Sequence, residues 1–132
     1  MVEPVSILIV DDEDSVLENH CIYLEDEGFN LQVATTGTVG LQRLQEHSVD
    51  LVLVDVRLPD MSGDDFIRQA YEQRPHLSFI IHTGSLEYEL PKDLLAIGIK
   101  TEHLLFKPVL DMKGMVSLIH QQLKLRFLIY KT

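Results

Sequence analysis

Ser6-Ile7-Leu8-Ile9-Val10-Asp11-Asp12-Glu13 opens as an unbroken apolar run and stops on a run of four acids that ends at Asp14. An apolar run of this length, with no polar alternation, is the pattern of a strand covered on both faces, as a parallel sheet between helical layers requires. Similar runs recur at residues 31–34, 51–54, 79–82 and 103–106, so with residues 6–10 the chain is expected to hold five strands. The stretches between them carry helical spacing. Leu17, Cys21 and Leu24 precede Gly28, Leu41 and Leu44 mark a second helix, and Phe66, Ile67 and Ala70 mark a third. Pro91 suits a first helical turn and leaves a short helix over 92–97 before Gly98. A last stripe, Met112, Met115, Val116, Ile119 and Leu123, follows Asp111, which is placed as its cap. Five βα units with right-handed crossovers make a doubly wound α/β sheet, whose ligands sit beyond the carboxyl ends of the strands.

Composition bounds the classes of function. At 132 residues the chain has the size of one domain, and 45% hydrophobic with 24% charged residues is the balance of a globular protein. Acids outnumber bases 21 to 11, a field that repels phosphodiester backbones and argues against direct nucleic-acid binding by this domain. Cys21 is the single cysteine, so neither a disulfide framework nor a cysteine metal site is available, which fits a reducing cytoplasm. Met1-Val2-Glu3-Pro4 carries an acid where a secretion signal would be basic, and no apolar run approaches the ~20 residues that cross a bilayer, so neither export nor membrane contact is expected. Residues 1–125 are read as the domain and 126–132, containing Phe127-Leu128-Ile129-Tyr130, as a tail or the start of a linker to an absent output domain.

The chemistry gathers at the strand ends. The first expected strand ends in Asp11-Asp12, the third in Asp55, the fourth in Thr83 and the fifth in Lys107-Pro108, and the topology brings all four ends to one edge. Each has an ordinary reading when taken singly: an acid pair as a helix cap, Leu58-Pro59-Asp60-Met61-Ser62-Gly63 and Thr83-Gly84-Ser85 as turns, Lys107 as a surface charge. Those readings leave unexplained why four separate strand ends carry groups suited to one reaction. Three crowded carboxylates repel one another unless a cation neutralises them, and an all-oxygen donor set suits Mg²⁺ or Mn²⁺. The six histidines are scattered at no ligand spacing, with His20, His47 and His120 in expected helices and His82 in a strand, which argues against zinc.

Ile7-Leu8-Ile9-Val10-Asp11-Asp12-Glu13, then Leu53-Val54-Asp55 with Pro59 and Gly63 after it, then Thr83-Gly84 and Lys107-Pro108, resembles the response-regulator receiver family over roughly residues 5–123. The resemblance implies a CheY-like (βα)₅ fold, flavodoxin-like, with strand order 2-1-3-4-5. It implies a two-component phosphorelay in which Asp55 accepts a phosphoryl group from a sensor histidine kinase or a histidine phosphotransfer protein, small acyl phosphates serving as alternative donors. By the same resemblance Asp12, Asp55 and the backbone carbonyl of Arg57 hold the metal, and Asp11 acts as a further ligand or through a metal-bound water. Lys107 and Thr83 take phosphoryl oxygens, and Pro108, after a cis bond, fixes how the lysine is presented. Such a domain catalyses only its own phosphorylation and dephosphorylation; a homodimer is left open.

Two positions depart from the family pattern. Leu104 stands where the usual switch aromatic lies, and the stretch from Thr83 to Lys107, broken by Pro91, is reshaped, so the route from Thr83 to the surface is not carried over. Among rival readings, an aspartyl-phosphate phosphohydrolase needs a second acid where Arg57 stands. A flavodoxin-like carrier needs a Ser/Thr/Gly-rich phosphate loop where Asp11-Asp12-Glu13-Asp14 stands. A degenerate receiver that only binds partners would lack some of the acids, the threonine or the lysine, and all are present.

Overall fold

A computed structural model describes residues 4–131 of the chain, with side chains to Lys124. The five apolar runs are the five strands: β1 Ser6–Val10, β2 Asn30–Ala34, β3 Leu51–Asp55, β4 Ser78–Thr83 and β5 Leu104–Phe106. They form one parallel sheet in the order β2-β1-β3-β4-β5, as expected. Five helices alternate with them: α1 Asp14–Asp26, α2 Gly37–Glu46, α3 Gly63–Gln73, α4 Lys92–Ala96 and α5 Met112–Lys131.

Because strand residues alternate between faces, each strand feeds two cores. Ile7, Ile9, Leu51, Leu53 and Ile80 pack on one side against Leu17 and Leu24 of α1 and Met115 and Ile119 of α5. Leu8, Val10, Val52, Val54 and Ile81 pack on the other against Leu44 of α2, Phe66, Ile67 and Ala70 of α3, and Leu94 of α4. The apolar stripes read from the sequence are these helix faces. α1 ends at Gly28, whose φ of +93° lets the Phe29 N–H turn back to the Leu24 carbonyl at 3.1 Å. Asp111 caps α5 by accepting from the Gly114 N–H at 2.9 Å.

Some expectations shift. His103 is not in β5 but closes a 3₁₀ turn, Thr101–His103, where its Nδ1 accepts from the Lys100 N–H at 3.0 Å. That local bond competes with the strand ladder and delays β5 by one residue. α4 is shorter than read, since Ile97 already lies beyond its last turn, and Pro91 stands just before the helix rather than inside it. His47 follows α2 as an exposed residue instead of lying within it, while Cys21 is half-buried and packs against the core that α1 shares with α5. The side chains of Phe127-Leu128-Ile129-Tyr130 lie outside the described residues, although the backbone of α5 runs through them.

Candidate functional site

The carboxyl edge of the sheet collects the expected groups. Asp55 is the last residue of β3, and Asp11 follows β1 one step beyond the paired Val10 and Val54. Asp11 and Asp55 are buried while Asp12 is exposed, and the three offer carboxylate oxygens that all lie within 4.8 Å of one another. Asp11 is oriented locally: its Oδ1 accepts from the Glu13 N–H at 2.9 Å, leaving Oδ2 turned inward. Glu13 stands at the N-terminus of α1 but does not cap it with its side chain, which reaches across to Lys107 instead.

Lys107, just after β5, is the cation of the cluster. Its Nζ lies 2.8 Å from Asp11 Oδ2, 2.9 Å from Glu13 Oε1 and 3.1 Å from Asp55 Oδ2. Burial works against the charged ammonium, yet the close carboxylates of Asp11, Glu13 and Asp55 outweigh it and raise the lysine pKa above its ordinary value. Asp55 moves upward too. Burial is the largest cause, and the Lys107 hydrogen bond offsets only part of it. The Lys107 N–H also donates to the Thr83 carbonyl at 2.8 Å, tying the lysine's backbone to the end of β4. The Lys107–Pro108 bond is cis.

Thr83 is buried, and its Oγ1 accepts from the Ser85 N–H at 3.0 Å, which folds the start of the β4–α4 loop. Farther along that loop Tyr88 donates its hydroxyl to Asp64 Oδ1 on α3 at 2.6 Å. Arg68 of α3 grips Asp93 of α4 through Nε at 2.6 Å and Nη2 at 3.1 Å. On the other side of the site, Gly63 lets α3 begin against the end of β3: a Cβ there would run into the Asp55 carbonyl and lie 2.9 Å from Val56 Cα. The β3–α3 loop is held to α2 by Asp60, which accepts from Gly37 N–H, Thr38 N–H and Thr38 Oγ1 at 2.9, 2.9 and 2.6 Å.

Asp12, Glu13, Asp55, Arg57, Thr83, Gly84, Ser85 and Lys107 line one open cleft of about 320 Å³. Arg57 is exposed, and its N–H faces Asp55 Oδ1 at 3.4 Å. Leu104 is half-buried against the α2–α3–α4 core. The structure therefore brings together Asp11, Asp12, Asp55, Thr83 and Lys107, with Arg57 at the rim, and leaves Leu104 in the packing below. The donor set fits a hard divalent cation, because it is three carboxylates with no sulfur or imidazole among the clustered ligand atoms.

Three further groups belong to this neighbourhood. Glu13 is a third acid on Lys107, and its alternation with Asp11 in the acidic run was the available signal. His82, the cross-strand partner of Asp55 in β4, is buried and puts Nδ1 3.8 Å from Asp11 Oδ2. His20 of α1 meets it edge to face, ring centroids 5.0 Å apart. Burial pushes the His82 pKa down to about 3, with His20 and Lys107 adding to the effect, and burial lowers His20 as well.

Residues 7–120 match the model of the response regulator receiver domain. The chain is 35% identical over 82 residues to the probable transcriptional regulatory protein TcrX of Mycobacterium tuberculosis, a match covering 62% of this chain and 35% of that protein. It is 30% identical over 93 residues to the sensor kinase CckA of Brucella abortus, covering 69% of this chain and 10% of the kinase. The response regulator receiver domain structure from Clostridium thermocellum superposes with a TM-score of 0.78 at 31% identity, covering 95% of this chain and 98% of that one. The chain spans about a third of the length of the curated relatives it matches first.

Proposed function

Because the chain belongs to the response-regulator receiver family, we propose that Asp55 is the residue that takes the phosphoryl group and that Lys107 and Thr83 receive it. The observation that carries this reading is the Lys107 ammonium 3.1 Å from Asp55 Oδ2 in an open cleft that Thr83 also lines. A carboxylate oxygen of Asp55 attacks phosphorus in line. The new P–O bond makes a mixed anhydride as the P–N bond of a phosphohistidine, or the P–O bond of an acyl phosphate, breaks and its electron pair leaves with the donor.

Asp11, Asp12, Asp55 and the Arg57 carbonyl would hold the metal, with Mg²⁺ or Mn²⁺ supplying positive charge to the transferring oxygens. Lys107 turns its ammonium from the acids to a phosphoryl oxygen. Thr83 gives up the Ser85 N–H and donates its hydroxyl to another, drawing the start of the β4–α4 loop with it. Leu104 has no ring to rotate, so this loop, rather than an aromatic side chain, carries the change outward. Pro108 fixes the backbone from which the lysine is presented.

The donor is a sensor histidine kinase or a histidine phosphotransfer protein, and the reader is an output domain in a longer chain or a separate partner. The chemistry acts on the domain itself and turns over no external substrate. Beryllofluoride with Mg²⁺ should bind the wild type and fail to bind Asp55→Asn. Equal binding by the two would assign the acceptor to another residue.

A further inference from the structure

Asp55 and His82 are paired in adjacent strands, and residues two apart share a sheet face, so both continue the columns Leu51-Leu53 and Ile80 toward α1 and α5. Asp11 continues Ile7-Ile9 in the same way. The top row on this face is thus Asp11, Asp55, His82 across three neighbouring strands, and the row beneath it, Ile9, Leu53, Ile80, is wholly apolar. His82 stands at that boundary, 2% exposed, and neither of its ring nitrogens has a hydrogen-bond partner; Nδ1 of buried His20 has none either. A leucine in place of His82 would fill the space without leaving polar atoms unpaired, a cost that folded proteins avoid outside functional sites.

One acceptor is in reach. Asp11 Oδ2 is buried, 3.8 Å from His82 Nδ1, and is held by charge to Lys107 without a well-directed hydrogen bond. Lys107 is the group that must leave the acids for a phosphoryl oxygen. When it leaves, Asp11 Oδ2 loses the ammonium beside it even with a metal on the acid cluster, and the imidazole of His82, its Nδ1 3.8 Å away, is the other donor that faces this oxygen.

We propose that His82, braced by His20, is a positioning residue that takes over the buried Asp11 oxygen as Lys107 is drawn to the phosphoryl group. This rests on the reading of Asp55 and Lys107 given above. The imidazole transfers no proton in this step; it turns an N–H toward Oδ2, and the released lysine donates elsewhere.

The test compares the wild type with His82→Leu, which deletes the donor, and His82→Asn, whose amide nitrogen keeps an N–H near the Nδ1 position. His82→Met is a second deletion that keeps the case decidable if leucine does not fold. Thermal midpoints and beryllofluoride affinity at saturating Mg²⁺ are measured for each. The deletions should be as stable as the wild type or more so, yet bind beryllofluoride about ten-fold more weakly, with asparagine recovering most of the loss. Wild-type affinity in the deletions overturns the proposal. So does an affinity loss that asparagine does not recover and that follows a falling midpoint, which is what a packing role alone would give. If the wild type itself does not bind beryllofluoride, the reading of the site fails and this proposal fails with it, a result distinct from binding that is equal in all variants.

Discussion

Lys107 is the residue on which the charge balance of the site turns, since one ammonium faces three carboxylates. Lys107→Met leaves those acids without their cation and should lower stability by about 3 kcal/mol, the usual order when one partner of a buried ion pair is removed. Mg²⁺ should restore much of it by binding the folded state, and denaturant unfolding with and without Mg²⁺ measures both effects. Asp55 gives a pH test. Its folded pKa is raised, chiefly by burial, so the protonated form is favoured by folding, and that contribution is lost as pH rises through the raised value. Asp55→Asn cannot ionise, so its excess in thermal midpoint over the wild type should be larger at about pH 7 than at about pH 4, by calorimetry. Asp11, Asp55, Thr83 and Lys107 were legible because each ends an apolar run, a signal local to one segment. His82 was not, because its meaning depends on the register of β3 with β4 and on the packing of α1, which bring together residues from three separate parts of the chain.

At the scale of elements, the site depends on how closely α3 approaches β3 and on how the β4–α4 loop is tied down. Gly63→Ala forces a methyl group into the Asp55 carbonyl and should cost about 1–3 kcal/mol in equilibrium unfolding. The tie between loop and α3 is the Tyr88–Asp64 hydrogen bond, so Tyr88→Phe should speed hydrogen exchange of loop amides around 85–90 while the strand amides stay protected. Asp60 joins the β3–α3 loop to α2. Hydrogen bonds from Thr38, first its hydroxyl and then its N–H, hold the Asp60 pKa down to about 2, so its contribution is present above the ordinary carboxylate pKa and is lost as pH falls toward 2. The five strands and most helices could be read from apolar period and turn residues. The start of β5 could not, because the His103–Lys100 bond is a contact that no periodicity encodes, whereas the short α4 was legible from Pro91 and Gly98 to within one residue.

For the whole molecule, one parallel sheet sets two apolar cores beneath a single polar edge, and every group assigned a role in phosphoryl transfer lies on that edge. This arrangement was legible because continuous apolar strands require helices on both faces, and right-handed crossovers then send all strand ends the same way. The central claim is that this edge directs a phosphoryl group to Asp55. It is tested most directly by treating the protein with acetyl phosphate and Mg²⁺, reducing it with borohydride, and mapping the product by tandem mass spectrometry. An acyl phosphate on Asp55 is reduced to homoserine, so the account predicts homoserine at position 55 and none when Mg²⁺ is chelated. Homoserine at Asp11, Asp12 or another acid, or no Mg²⁺-dependent product, would contradict it.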